Sequence, residues 1–164
     1  MSRFVVHEHH ATHTHFDFRL EIGGALKSWA VPKGPSMNPA EKRLAIRVPD
    51  HPIEYLDFEG IIPEGTYGAG PVVIWDTGRV YFVGDEPPEL ALDQGKLLFV
   101  LKGAKLKGGF ALVRRARRRE ADEWLLIKRS DRDADRAWHI ESALSPRRMS
   151  GLSLRVPPCG QTSN

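Results

Sequence analysis

From His13 to Ile22 the chain alternates between two kinds of side chain. His13, His15, Asp17, Arg19 and Glu21 fall on one parity, and Phe16, Phe18, Leu20 and Ile22 on the other. Successive side chains of a strand point to opposite faces, so this run specifies a β-strand with one apolar face and one face of chemically active groups. A helix would mix the two sets. Gly23-Gly24 permits a tight turn, and Ala25 to Val31 supplies the returning strand of a hairpin.

The polar face carries the densest supply of metal-ligand groups in the chain. His15 and Asp17 are neighbours on it, and His9 is close enough in sequence to curl back to them. Two neutral imidazoles and a carboxylate suit a divalent cation such as Mn²⁺, Fe²⁺ or Zn²⁺ and leave coordination positions open for water or substrate. The alternative is a solvated, histidine-rich leader or a tag remnant. A tag would be contiguous histidines ending before the structured chain, whereas this tract runs into a patterned strand, which favours a metal.

Further short strands are expected at Leu44 to Val48, Val72 to Trp75, Val80 to Val83, Lys96 to Leu101, Phe110 to Arg114 and Trp124 to Lys128. Asp76-Thr77-Gly78 reads as the turn of a second hairpin, and Glu86 to Leu92 as a single helical turn. Seven or eight short strands with turn signals between them make an all-β, mainly antiparallel barrel or sandwich. At 164 residues and 41% hydrophobic, the chain fits one domain with an ordinary core. Residues 1–144 are expected to form it, with 145–164 a flexible tail.

The net charge of +3 permits a nucleic-acid partner without demanding one. Distribution says more. Lys102 to Arg119 holds eight Lys or Arg and no acid, and Arg114 to Arg119 lies at an expected hairpin tip, either a solvated loop or an arm on phosphates. The single cysteine, Cys159, excludes an internal disulfide framework and points to a reducing compartment. No apolar run reaches membrane-spanning length and there is no signal-peptide core, so a cytoplasmic protein with no membrane partner is expected.

Four other polar residues stand out by position. Lys33 sits in the Pro-rich loop after the first hairpin, and Arg43 at the start of the third strand. His51, with Pro49 and Pro52 on either side, is expected in a rigid extended loop, and Tyr55 follows in an acidic, aromatic segment. The glycine-rich stretch Gly60 to Gly70 can bring backbone close to a ligand but lacks the lysine and hydroxyl of a P-loop.

The words His9, His15-Phe16-Asp17-Phe18-Arg19-Leu20-Glu21, Leu26-Lys27-Ser28-Trp29-Ala30-Val31-Pro32-Lys33-Gly34-Pro35-Ser36, Lys42-Arg43-Leu44-Ala45, Asp50-His51-Pro52, Tyr55-Leu56-Asp57-Phe58-Glu59-Gly60 and Ile62-Pro63-Glu64-Gly65-Thr66-Tyr67-Gly68-Ala69-Gly70 occur in this order. Together they resemble the 3′-phosphoesterase module of bacterial DNA ligase D, over about Phe4 to Ile140. The resemblance implies a compact β-barrel capped by short helices, with a Mn²⁺ site, or one for another divalent transition metal, in a surface groove. It implies removal of a 3′-terminal ribonucleoside from DNA ends to leave a 3′-phosphate, then hydrolysis of that phosphate to a 3′-hydroxyl, during end joining. His9, His15 and Asp17 match the family's metal ligands. Arg19 and His51 match residues on the scissile phosphate, and Lys33, Arg43 and Tyr55 stand at positions the family also uses. The implied partners are DNA or RNA-tailed DNA 3′ ends on a primer–template.

Two departures are visible. Longer members carry Arg, Asp and Glu upstream of the first metal histidine, so a weaker phosphomonoesterase step is expected here, and Pro49 replaces an acidic residue found in some members. The tail from Ser145 looks like the start of the linker to the ligase module. The expectation is a stand-alone phosphoesterase that meets its ligase, polymerase and end-binding proteins as separate chains. The rival readings are a non-haem Fe²⁺ oxygenase, using His15 and Asp17 with a distant His139 and Arg147, and a non-catalytic nucleic-acid-binding barrel.

Overall fold

Gly23 and Gly24 take left-handed φ values of 64° and 83°, the conformation a two-residue hairpin turn needs and side chains resist. Ile22 therefore pairs with Ala25, and the register runs on through Arg19 opposite Ser28 to Phe16 opposite Val31. The computed structural model, which describes residues 2–158, extends this hairpin into a closed sheet. Its strands are β1 (Ser2–His10), β2 (Thr14–Ile22), β3 (Ala25–Val31), β4 (Arg43–His51), β5 (Gly60–Ile62), β6 (Gly70–Phe82), β7 (Lys96–Gly103), β8 (Lys107–Arg117) and β9 (Asp122–Lys128). A 3-10 helix spans Ile53–Asp57, and the two α-helices are short, α1 (Pro88–Asp93) and α2 (Pro146–Ser150).

The order β1-β2-β3-β4-β9-β8-β7-β6 returns to β1 through a β1–β6 pairing, so eight antiparallel strands close a barrel and β5 adds to the start of β6. The all-β barrel with short helices is as expected. Closure leaves no free edge among the eight strands. The interior is the apolar parity of each strand: Phe4, Phe18, Leu20, Trp29, Phe99 and Trp124 are fully buried in one cluster. Among the described residues no helix is long and apolar enough to cross a membrane.

Three local expectations need correction. His9 does not reach His15 and Asp17 by a curl of the chain: it lies on strand β1, hydrogen-bonded on both sides to β2 and β6. Asp76-Thr77-Gly78 is not a turn, because β6 runs through it unbroken. Asp76 is buried and accepts from the backbone N–H groups of Thr77, Ala104, Lys105 and Leu106, thereby capping the β7–β8 turn. Gly78 is small because β7 lies against it: a Cβ there would stand 2.1 Å from the Lys102 carbonyl oxygen. Finally, His51 is not in a loop; it ends β4, paired with Leu26.

The segment read as a tail carries contacts of its own. Arg148 bonds Glu59 at 2.6 Å, and Ser153 and Arg155 bracket Ile61 by backbone hydrogen bonds. Cys159 lies outside the described residues.

Candidate active site

Strand alternation puts Val5, His7 and His9 of β1 beside Arg19, Asp17 and His15 of β2, in register. These side chains lie on the outer wall of the barrel. They are not a solvated face: a second apolar cluster, with Leu56, Phe58, Ile62 and Val72, roofs part of that wall, and Asp17 and Arg19 are buried. What remains open is a groove of about 710 Å³, lined among others by His9, His15, Asp17, Arg19, His51 and Tyr55.

One ligand atom from each of His9, His15 and Asp17 lies within 4.8 Å of the other two. The distal nitrogens show why this trio is suited to a cation. His9 Nε2–H donates to the Gly68 carbonyl at 2.6 Å, and His15 Nδ1–H donates to the His13 carbonyl at 3.3 Å. Each bond occupies one ring nitrogen, so the other is the one a metal would bind once it has lost its proton. Those nitrogens, His9 Nδ1 and His15 Nε2, face the Asp17 carboxylate at 3.6 and 3.2 Å. Burial alone would raise the Asp17 pKa, but the Arg19 charge and the bonds from both histidines hold it well below the usual range. Burial pulls His15 down, yet Asp17 outweighs it and raises the imidazole above its ordinary value. The donor set fits a divalent transition metal, which would displace that proton.

Arg19 is held on four sides. Its Nε–H donates to His7 Nδ1 at 3.4 Å, Nη1 to Ser28 Oγ at 2.9 Å, and Nη2 stands 3.4 Å from Asp17, while the guanidinium lies over the Tyr55 ring at 4.8 Å. A guanidinium has five N–H groups, so one on each Nη remains for a ligand in the groove. Tyr55 also meets His51 and His7 edge-on, at 5.0 and 5.1 Å. Burial pushes its phenol up to about 12, so it stays neutral. His51 donates Nδ1–H to the Pro49 carbonyl at 2.9 Å. Burial, then the Arg19 charge, lowers its pKa to about 4, so at neutral pH Nε2 is an acceptor.

Lys33 and Arg43 are not brought to the groove wall. Lys33 is exposed in the loop after β3, and Arg43 turns to Glu41 at 3.3 Å. His139, offered by the oxygenase reading, is 80% exposed and faces Glu141, and it does not join His15 and Asp17. His7 and Ser28 escaped the sequence reading. The parity of β1 would have flagged His7 beside His9, and the Gly23-Gly24 turn alone sets Ser28 opposite Arg19.

Sequence comparison with known proteins supplies the family. The family model of the DNA ligase D 3′-phosphoesterase domain matches residues 7–114. The chain is 51% identical over 132 residues to a multifunctional non-homologous end joining protein LigD of Pseudomonas aeruginosa, covering 80% of this chain and 16% of that protein. It is 45% identical over 124 residues to a multifunctional non-homologous end joining DNA repair protein LigD of Mycobacterium tuberculosis, covering 74% and 15%. Against the LigD of Mycolicibacterium smegmatis it is 43% identical over 136 residues, covering 79% and 17%. The chain belongs to the DNA ligase D 3′-phosphoesterase domain family. It spans less than a fifth of the length of these relatives.

Proposed function

We propose that this domain is a Mn²⁺-dependent phosphoesterase that processes DNA 3′ ends in non-homologous end joining. It removes a 3′-terminal ribonucleoside to leave a 3′-phosphate and then hydrolyses that phosphate to a 3′-hydroxyl. The observation that carries the reading is the convergence of the His9, His15 and Asp17 ligand atoms beside a guanidinium held with two N–H groups to spare. The proposed partners are primer–template DNA and the end-joining ligase, polymerase and end-binding proteins.

His9, His15 and Asp17 would hold the metal, Mn²⁺ or a similar divalent ion, which when bound polarises a phosphoryl oxygen as a Lewis acid. Arg19 stabilises the charge that grows on the phosphoryl oxygens, because its orientation is fixed before substrate arrives. His51, neutral and with Nδ1–H committed to Pro49, takes the proton of the attacking water at Nε2. As the phosphorus–oxygen bond to the leaving group breaks, the departing oxygen takes a proton from water in the groove, and the imidazolium later gives its proton to solvent. Tyr55 orients both groups.

The basic hairpin belongs to the same reading. The last β4–β9 pair is Ile46 with Glu123, so the β8–β9 tip continues toward Val48, which lines the groove. Arg117, Arg118 and Arg119 are exposed there. Removal of metal with EDTA, followed by Mn²⁺ with a ribonucleotide-ended primer, tests the proposal. Phosphoester cleavage that stops with EDTA and returns with Mn²⁺ is expected. Succinate formation from 2-oxoglutarate with Fe²⁺, in place of cleavage, would establish the oxygenase reading instead.

A further inference from the structure

Tyr67 is an aromatic side chain with no packing reason to be where it is. It is 71% exposed, yet it lines the groove that holds the metal and phosphate groups. The loop that carries it is fixed rather than loose. Turn bonds from Thr66 N–H to Pro63 and from Ala69 N–H to Thr66, at 3.2 and 3.1 Å, bracket the residue. Gly65 and Gly68, on either side of it, sit at φ values of 85° and 77°, where an L side chain is strained. The carbonyl of Gly68 then accepts from His9 Nε2 at 2.6 Å, and a Cβ at Gly68 would press on the His9 ring at 3.2 Å. The phenol is thus one residue from an atom bonded to a proposed metal ligand. Ile62 and Ala69 add apolar wall nearby.

We propose that Tyr67 is a stacking platform for a nucleobase flanking the scissile phosphate. The inference rests on the phosphoesterase reading above and deepens it. A nucleotide pairs an anionic phosphate with an uncharged π-face a few ångströms away, and the same groove is lined by the Arg19 guanidinium, with two N–H groups to spare, and by the exposed Tyr67 ring. Every base has such a face, so the platform works without sequence preference, as end processing requires.

Binding without turnover separates this claim from the activity. A deoxy-ended primer–template with 5-iodouracil at the last two positions is irradiated with the protein in EDTA, and the crosslink is mapped. The crosslink is expected on Tyr67. Tyr67→Ala should raise Kd for the unmodified DNA about tenfold, and Tyr67→Phe or Tyr67→Trp should restore it. DNA abasic at the last two positions should bind the wild type and Tyr67→Ala alike. Crosslinks that avoid Tyr67, an unchanged Kd in Tyr67→Ala, or an equal loss on abasic DNA would overturn the platform. A protein that crosslinks through Tyr67 but cleaves nothing with Mn²⁺ keeps the platform and loses the phosphoesterase.

Discussion

Arg19 donates its Nε–H to Nδ1 of His7 across 3.4 Å, with His7 fully buried and Arg19 nearly so. The bond runs in this direction because the other His7 nitrogen, Nε2, is already donating to the Phe58 carbonyl at 3.1 Å. A proton on Nδ1 would face the guanidinium head-on. Burial, then the Arg19 charge, accordingly lowers the His7 pKa to about 3. His7 works as a neutral spacer between the roof of the site and the group assigned to the phosphate.

Replacing His7 by Ala leaves Arg19 Nε–H and the Phe58 carbonyl without partners, which costs about 1–3 kcal/mol. Urea unfolding should show that loss. Turnover should fall by about 10- to 100-fold as Arg19 loses its orientation, with a smaller change in KM. His7→Gln, whose amide can accept from Arg19 and donate to Phe58, should recover most of both. Full turnover in His7→Ala would mean that Arg19 needs no such support.

The two faces of β2 should fail differently. Phe18→Ala empties a fully buried interior position and should cost about 3–5 kcal/mol in denaturant unfolding. His15→Ala should leave stability near the wild type and abolish divalent-metal binding in calorimetry. For Asp17 the neutral isostere Asn is the cleaner change, since it removes the charge but keeps the side-chain volume and an acceptor oxygen for Arg19, which Ala would not. Metal binding retained in both His15→Ala and Asp17→Asn would remove the proposed ligand set.

Much of this site was legible because strand parity is a rigid rule. The run from Phe16 to Ile22 fixed which side chains enter the core, and the Gly23-Gly24 turn fixed the neighbouring register. What parity could not supply was the second layer. Asp17 and Arg19 are buried because Tyr55, Phe58 and Ile62, from 36 to 45 residues further along, cover the outer wall. Nor could local signals separate a turn glycine from a packing glycine. Asp76-Thr77-Gly78 has hairpin chemistry, but its aspartate caps another turn and its glycine makes room for β7.

Metal-free stability should fall as pH drops from about 6.5 toward 4. His7 and His51 titrate near 6.5 when unfolded but only at about 3 and about 4 when folded. Within that window the unfolded chain binds more protons, so protonation favours unfolding. Each group contributes on the order of 1.4 kcal/mol per pH unit. His15, raised by Asp17, has the opposite sign: its contribution is present below about 6.5 and is lost as pH rises through its folded pKa. Thermal melts in EDTA between pH 4 and 7 check this, and His7→Gln should flatten the acid limb.

Changing Arg117, Arg118 and Arg119 together to Ala should weaken DNA binding and reduce the slope of log K against log salt by about 2–3. Turnover at saturating substrate should change little, because these residues are not assigned to the scissile phosphate. An unaltered slope would make the hairpin tip a solvated loop.

The most direct measurement uses a primer–template ending in a single 3′ ribonucleotide, incubated with the domain and Mn²⁺ and resolved to one nucleotide. The expected result is shortening by one nucleoside to a 3′-phosphate, then slower conversion to a 3′-hydroxyl, with an all-deoxy primer cut less well because it lacks the 2′-hydroxyl. Arg19→Ala and His51→Ala should suppress turnover far more than Mn²⁺ binding. Equal cleavage of ribo- and deoxy-ended primers would contradict the specificity, and no cleavage of either with Mn²⁺ present would contradict the phosphoesterase itself.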